Sequence, residues 1–200
     1  MNLAKLFETQ RVLRDRIGYN EPDRFEKLIL ALLVEIGECA NEFRGFKFWS
    51  KDQEPRVTTK CNNCSGEGVG FFSGNEYTGN KQVCVVCDGT GKDKNKNPLL
   101  EEYVDGLHFV LEIGLEINDI EFRPIRLISL TNNITQQFKS IFKIASELDL
   151  SMLLIDSRKY QTLFNNYLLL GEMLGFTWEE VEAAYYAKNK INHVRQDTGY

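Results

Sequence analysis

The sequence predicts an all-α fold, a helical bundle interrupted once by a small insert. Three observations carry this. Apolar residues recur at helical spacing in most of the chain, and no run alternates apolar and polar residues as a main sheet would require. Residues 57–97 differ from the rest: they are rich in Gly, Asn, Lys and Cys and have no helical period. The chain of 200 residues is long enough for one sizeable core plus a small module. The domain reading is therefore residues 1–56 with 98–200 as one helical unit, and 57–97 as the insert.

Leu3, Leu6, Phe7, Leu13 and Ile17 place an amphipathic helix at the N-terminus. Gln10 falls on its apolar face, and a buried carboxamide must hydrogen-bond either to protein or to a ligand. Pro22-Asp23 opens a second helix that runs to about Phe43. Pro98 opens the third at a position where proline is tolerated. Ile134, Phe138, Ile141, Phe142 and Ala145 predict a fourth helix within 124–148. A fifth covers about Arg158 to Leu174 and stops at Gly175. Thr177-Trp178-Glu179-Glu180 is a capping box that starts a sixth, running to about Arg195.

Hydrophobic content of 42% and aromatic content of 12% fit a globular protein. The formal charge of −5 argues against broad nucleic-acid binding. Neither a secretory signal nor an apolar run of membrane-spanning length is present, so the expected address is the cytoplasm. Cysteines there bind metal or stay reduced more often than they form disulfides.

Two carboxylate pairs interrupt apolar helical runs: Glu35-Ile-Gly-Glu38 and Glu102-Tyr-Val-Asp105. Residues three apart share a helix face, so each pair points one way. Leu28, Leu32 and Cys39 share a stripe with Glu35, and Val104, His108 and Phe109 crowd Asp105, so that way is expected to be inward. Either pair alone would also serve as ordinary surface charge. Four inward carboxylates call for a counter-charge, which a hard divalent cation supplies. Such a cluster suggests chemistry on phosphates. In the last helix Lys188, Asn192 and Arg195 form one polar stripe at i, i+4 and i+7, with Asn189 and Gln196 beside it. Cations and neutral donors together suit a polyphosphate with an attached sugar. His108 is expected to be a core or supporting residue, His193 to face solvent, and Cys39 to be a small buried residue.

Cys61-Asn-Asn-Cys64-Ser-Gly-Glu-Gly68 is echoed by Cys84-Val-Val-Cys87-Asp-Gly-Thr-Gly91. Four thiolates at this spacing match a closed tetrahedral site for one structural Zn²⁺, in preference to redox or unpaired cysteines. The repeat resembles the zinc module of DnaJ chaperones, which has four repeats and two zincs. Lys/Arg and Asp/Glu nearly balance across the insert, which disfavours a phosphate-gripping surface.

Together these segments resemble the dimeric, all-α dUTPase family, within the MazG-like nucleoside triphosphate pyrophosphohydrolases. Glu35, Glu38, Glu102 and Asp105 match its Glu-x-x-Glu and Glu-x-x-Asp helices. Asp105-Gly-Leu-His-Phe109 and Lys47-Phe-Trp49 resemble neighbouring segments. The tail Lys188 to Tyr200 fits Lys-Asn-x-x-Asn-x-x-Arg-Gln-x-x-Gly-Tyr. The segments look most like versions from Gram-positive bacteria and their phages. The resemblance implies two or three Mg²⁺ per site held by the four carboxylates, and hydrolysis of dUTP to dUMP and pyrophosphate. Glu35 or Glu38 would take the proton of the attacking water. Lys188, Arg195 and Lys47 would neutralise phosphate charge. Gln10 would read the uracil edge, Trp49 would pack on the base, Asn192 would contact sugar or phosphate, and Tyr200 would join the substrate site. A homodimer is implied. Leu13-Arg14 stands where family members often have Asn, which leaves open a related activity on dCTP or several nucleotides. A regulatory protein using the zinc module to bind DNA or a partner is the alternative outside enzymes.

Overall fold

The computed structural model describes residues 2–70, 82–121, 123–125, 127–128, 133–149 and 153–199, the side chains of 153–156 excepted. Among these residues lie six helices: α1 (Leu3–Ile17), α2 (Arg24–Phe43), α3 (Pro98–Glu116), α4 (Ile134–Ser146), α5 (Leu153–Met173) and α6 (Trp178–Thr198). Four two-residue strands, β1 (Thr59–Lys60), β2 (Val69–Gly70), β3 (Gln82–Val83) and β4 (Lys92–Asp93), all fall in the insert. The architecture is the predicted all-α bundle.

Local chemistry sets the boundaries. Side-chain oxygens of Asn2, Asn97 and Asn133 accept from backbone N–H groups at the starts of α1, α3 and α4, each satisfying a donor that the helix cannot. The Thr177–Glu180 capping box forms both of its bonds. Gly18 ends α1 with φ of +65°, a left-handed cap that costs glycine little. The predicted fourth helix does not start at Pro124: residues 123–125 and 127–128 are not helical, α4 begins at Ile134 after the Asn133 cap, and 126 and 129–132 lie outside the described residues. The fifth starts earlier than the periodicity indicated, at Leu153.

The longest shared interface joins α2 to α3, and α3 also packs on α1, α5 and α6. Its buried face supplies Leu99, Tyr103, Val104, Leu107, Val110, Leu111 and Ile113 to the core. Burying so much apolar surface on one helix is the main force ordering the bundle around it. A reciprocal pair locks α3 to α5: Tyr103 Oη donates to the Tyr167 carbonyl at 3.1 Å and Tyr167 Oη to the Tyr103 carbonyl at 2.6 Å, with the rings stacked at 4.8 Å. No helix among the described residues is long and apolar enough to cross a membrane.

In the insert, β1 pairs antiparallel with β4, Thr59 opposite Asp93, and β2 with β3, Val69 opposite Val83. Ser65, Gly66 and Gly68 have positive φ, as do Asp88, Gly89 and Gly91, so the repeat in sequence is a repeat in backbone. A Cβ on Gly68 would strike the Gly89 carbonyl, and one on Gly91 the Gly66 carbonyl, so this close approach requires glycine.

Candidate functional site

The two carboxylate pairs are brought together because α2 and α3 pack side by side. Glu35, Glu38 and Glu102 offer oxygens that all lie within 4.8 Å of one another. The sequence expectation that they point inward holds only in part: Glu35, Glu102 and Asp105 are half-buried and Glu38 is exposed. Glu35 and Asp105 line a cavity, and Glu38 beside them is open to solvent. Burial, with Asp105 and Glu38 nearby, pushes the Glu35 carboxyl up to about 7. Burial also pushes Glu102 up to about 7, with Asp105, Glu38 and Glu35 adding repulsion. Asp105 is raised by burial against the opposing pull of Lys188, whose ammonium pairs with it. Carboxyls that resist ionisation at close quarters mark a site short of positive charge. An oxygen-only donor set of this kind fits a hard cation such as Mg²⁺.

A cavity of about 450 Å³ opens beside the cluster. Glu35, Asp105, Lys188, Asn192, Arg195 and Gln196 line one part of it, so the predicted stripe of α6 does face the acidic helices. Gln10, Arg24, His108 and Glu112 line another part. Lys47 and Trp49 do not line this cavity. Lys47 bonds to the Asn41 side chain, and Trp49 is 66% exposed against Phe46 and Phe48. Tyr200 lies outside the described residues. His108 is buried, as expected. His193 is half-buried and contacts Arg16 at 3.1 Å, so it does not simply face solvent.

The sequence reading missed a buried polar group behind the cavity. Glu112 is 5% exposed and pairs with Arg24. Arg14 lies 3.6 Å from Glu112 and pairs with Glu116. Gln10 Nε2 donates to Glu112 at 2.9 Å, while Gln10 Oε1 accepts from Tyr185 Oη at 2.9 Å and lies 2.8 Å from His108 Nδ1. The signal was available: Glu112 is seven residues beyond Asp105, hence on the same face of α3 two turns along.

Cys61, Cys64, Cys84 and Cys87 are buried and free of disulfides, and their sulfurs lie within 4.8 Å of one another. The Cys61–Cys84 and Cys64–Cys87 sulfurs are 3.9 and 3.7 Å apart. Tetrahedral coordination at zinc–sulfur distances of about 2.3 Å gives edges of about 3.8 Å. Backbone N–H groups of Gly68 and Gly91 donate to Cys64 and Cys87 sulfurs, each at 3.2 Å, and Asn63 donates to the Cys84 sulfur at 3.3 Å. Donors aimed at sulfur stabilise thiolates. The cluster is compatible with zinc.

Among the described residues, the three clustered carboxylates are a group that could hold a metal ion. A family model described as dUTPase matches residues 2–63 and 89–200, and the chain belongs to that all-α family. The match passes over residues 64–88, which hold three of the four clustered cysteines. Membership supports an enzyme that hydrolyses dUTP. No curated protein and no solved structure matches the chain.

Proposed function

We propose that the protein is an Mg²⁺-dependent dUTP diphosphatase that releases dUMP and pyrophosphate. The observation that supports this best is the convergence of Glu35, Glu38 and Glu102 within 4.8 Å, beside Asp105 and a cavity walled by Lys188 and Arg195. Glu35, Glu38, Glu102 and Asp105 would hold two or three Mg²⁺. Divalent ions bound there would supply positive charge for the phosphates and would lower the pKa of a coordinated water. Glu35 or Glu38 would take the proton of the attacking water. Lys188 exchanges its pairing with Asp105 for the substrate's phosphates, and Arg195 supports the same charge. Asn192 contacts the sugar or phosphate. The family resemblance would add Lys47, Trp49 and Tyr200 to the substrate site, although Lys47 and Trp49 do not line the cavity, and the chain would act as a cytoplasmic homodimer.

The helical unit, residues 1–56 and 98–200, carries this chemistry on its own. The insert at 57–97 binds one structural Zn²⁺ through Cys61, Cys64, Cys84 and Cys87, a staple for a segment too small to fold otherwise. The chain is thus a MazG-like, phage-type relative of the all-α dUTPases with a zinc-binding insert.

The test is hydrolysis of dUTP, dCTP, dTTP, dATP and UTP with excess Mg²⁺, resolving pyrophosphate from phosphate. Selective formation of dUMP and pyrophosphate supports the reading. Turnover of several nucleotides would keep the metal chemistry and replace the substrate. No turnover by folded, metal-loaded protein would overturn it.

A further inference from the structure

Two helical pairs supply four carboxylates, yet among the described residues the structure gathers only three of them. Glu35, Glu38 and Glu102 have oxygens within 4.8 Å of one another, and Asp105 is not in that group. Its Oδ2 pairs with the Lys188 ammonium instead. The Lys188 and Asp105 side chains are 22% and 16% exposed, so little solvent reaches the pair to screen it, unlike a surface ion pair. The backbone that carries the ammonium is fixed. Tyr185 and Asn189, on either side of Lys188 in α6, are buried, and α6 packs directly on α3. The side chain still has room to move, because Lys188, Asn192 and Arg195 line the cavity of about 450 Å³.

We propose that Lys188 is a built-in competitor of the divalent cation for Asp105, so that a phosphate chain completes the metal site by drawing Lys188 away. The inference rests on the diphosphatase reading, which makes Asp105 a metal ligand, and deepens it with the order in which the site fills. A carboxylate that holds an ammonium is a poor ligand for a divalent ion, because the two cations repel across it. An ion that arrives alone must either break the ion pair or settle for Glu35, Glu38 and Glu102. A phosphate chain offers the ammonium a new partner and frees Asp105 for the ion. Metal and phosphate binding are therefore linked, and by thermodynamic necessity each strengthens the other by the same factor. Towards the metal Lys188 is a positioning residue: it acts through Asp105 and need not touch the ion.

The experiment is a double-mutant cycle of Mg²⁺ affinity, measured calorimetrically without nucleotide on the wild type, Lys188→Met, Asp105→Asn and the double variant. Methionine keeps the bulk of the lysine stem and removes its charge. Lys188→Met is expected to bind Mg²⁺ about tenfold more tightly than the wild type. Asp105→Asn is expected to cost less than about twofold in the wild type and about tenfold in Lys188→Met, where alone the carboxylate is free to bind. A Lys188 that acted only by its charge at a distance would make Asp105→Asn cost the same in both backgrounds, and equal costs would overturn the proposal. So would an affinity that Lys188→Met leaves unchanged, or no Mg²⁺ binding by any of the four proteins. The cycle does not depend on turnover: if Mg²⁺ binds and no triphosphate is hydrolysed, the diphosphatase reading fails while the cycle still decides the competition. A second measurement needs no variant. In ¹⁵N spectra of lysine-labelled wild type, the Lys188 ammonium signal should persist with Mg²⁺ alone and change once inorganic pyrophosphate is added. Loss of the signal with Mg²⁺ alone, or no change on adding pyrophosphate, would overturn the proposal.

Discussion

Replacing Glu102 with Gln separates the energetic burden of the carboxylate cluster from its use. The folded protein holds the Glu102 carboxyl at about 7 against an ordinary 4.5, first through burial and then through Asp105, Glu38 and Glu35. A raised carboxyl stabilises the fold fully below 4.5, and that contribution is lost as the pH climbs through about 7. The full displacement would amount to about 3 kcal/mol for a group sealed from water. Glu102 is only half-buried, and solvent screening reduces the figure to about 1 kcal/mol. Metal-free Glu102→Gln should therefore melt ~3 °C above the parent at pH 8, with little difference at pH 5. The order should reverse with Mg²⁺, because the parent gains stability from the ion and the variant has lost a ligand. Differential scanning fluorimetry at the two pH values, with and without Mg²⁺, reads all four states. A metal-free variant less stable than its parent at pH 8 would refute the reasoning, since it would mean that the Glu102 charge is already compensated within the protein.

Gly171→Ala would place a Cβ 2.7 Å from the Tyr103 ring carbon Cζ, which cannot give way without breaking the bond to the Tyr167 carbonyl. A loss of about 2 kcal/mol is expected, seen as a lower midpoint in urea unfolding. Cys84→Ser should abolish zinc in elemental analysis and increase proteolytic cutting of the insert, while part of the dUTP turnover remains. Complete loss of turnover with Mg²⁺ binding intact would give the insert a direct part in catalysis. Lys188→Gln should raise KM for dUTP on the order of tenfold, as a charge-assisted phosphate contact predicts, and an unchanged KM would remove Lys188 from the phosphate site. Mg²⁺ affinity should strengthen as pH rises through about 7, where Glu35 and Glu102 ionise, and titration calorimetry across that range checks it.

Helices were legible wherever one face carried the core. Leu6, Phe7 and Leu13 on α1, or Leu28, Leu32 and Ile36 on α2, are buried as their spacing requires. The start of α4 was not, because the Asn133 side chain and not the apolar pattern decides it. The carboxylate pairs were legible because there are two of them, each inside an apolar run, where one alone would read as ordinary surface charge. Glu112 was not, although it is more buried than any of them. A single charge in an apolar run reads as an interruption until its partners are known, and those partners, Arg24, Gln10 and Arg14, come from other helices. Trp49 carried no periodic signal at all, and the fold leaves it exposed on the segment after α2.

The pairing of β1 with β4 sets the two ends of the insert against each other, with Thr59 beside Asp93. The chain leaves the helical body and returns to it through one doorway. The stretch of chain between Cys64 and Cys84 is free to lengthen or shorten without moving α2 relative to α3, because its closure entropy is met locally by the strand pair and the four sulfurs. The distance between the two halves of the acidic cleft is thereby decoupled from the length of chain that joins them. The same doorway is a natural port for grafting a foreign module onto the enzyme.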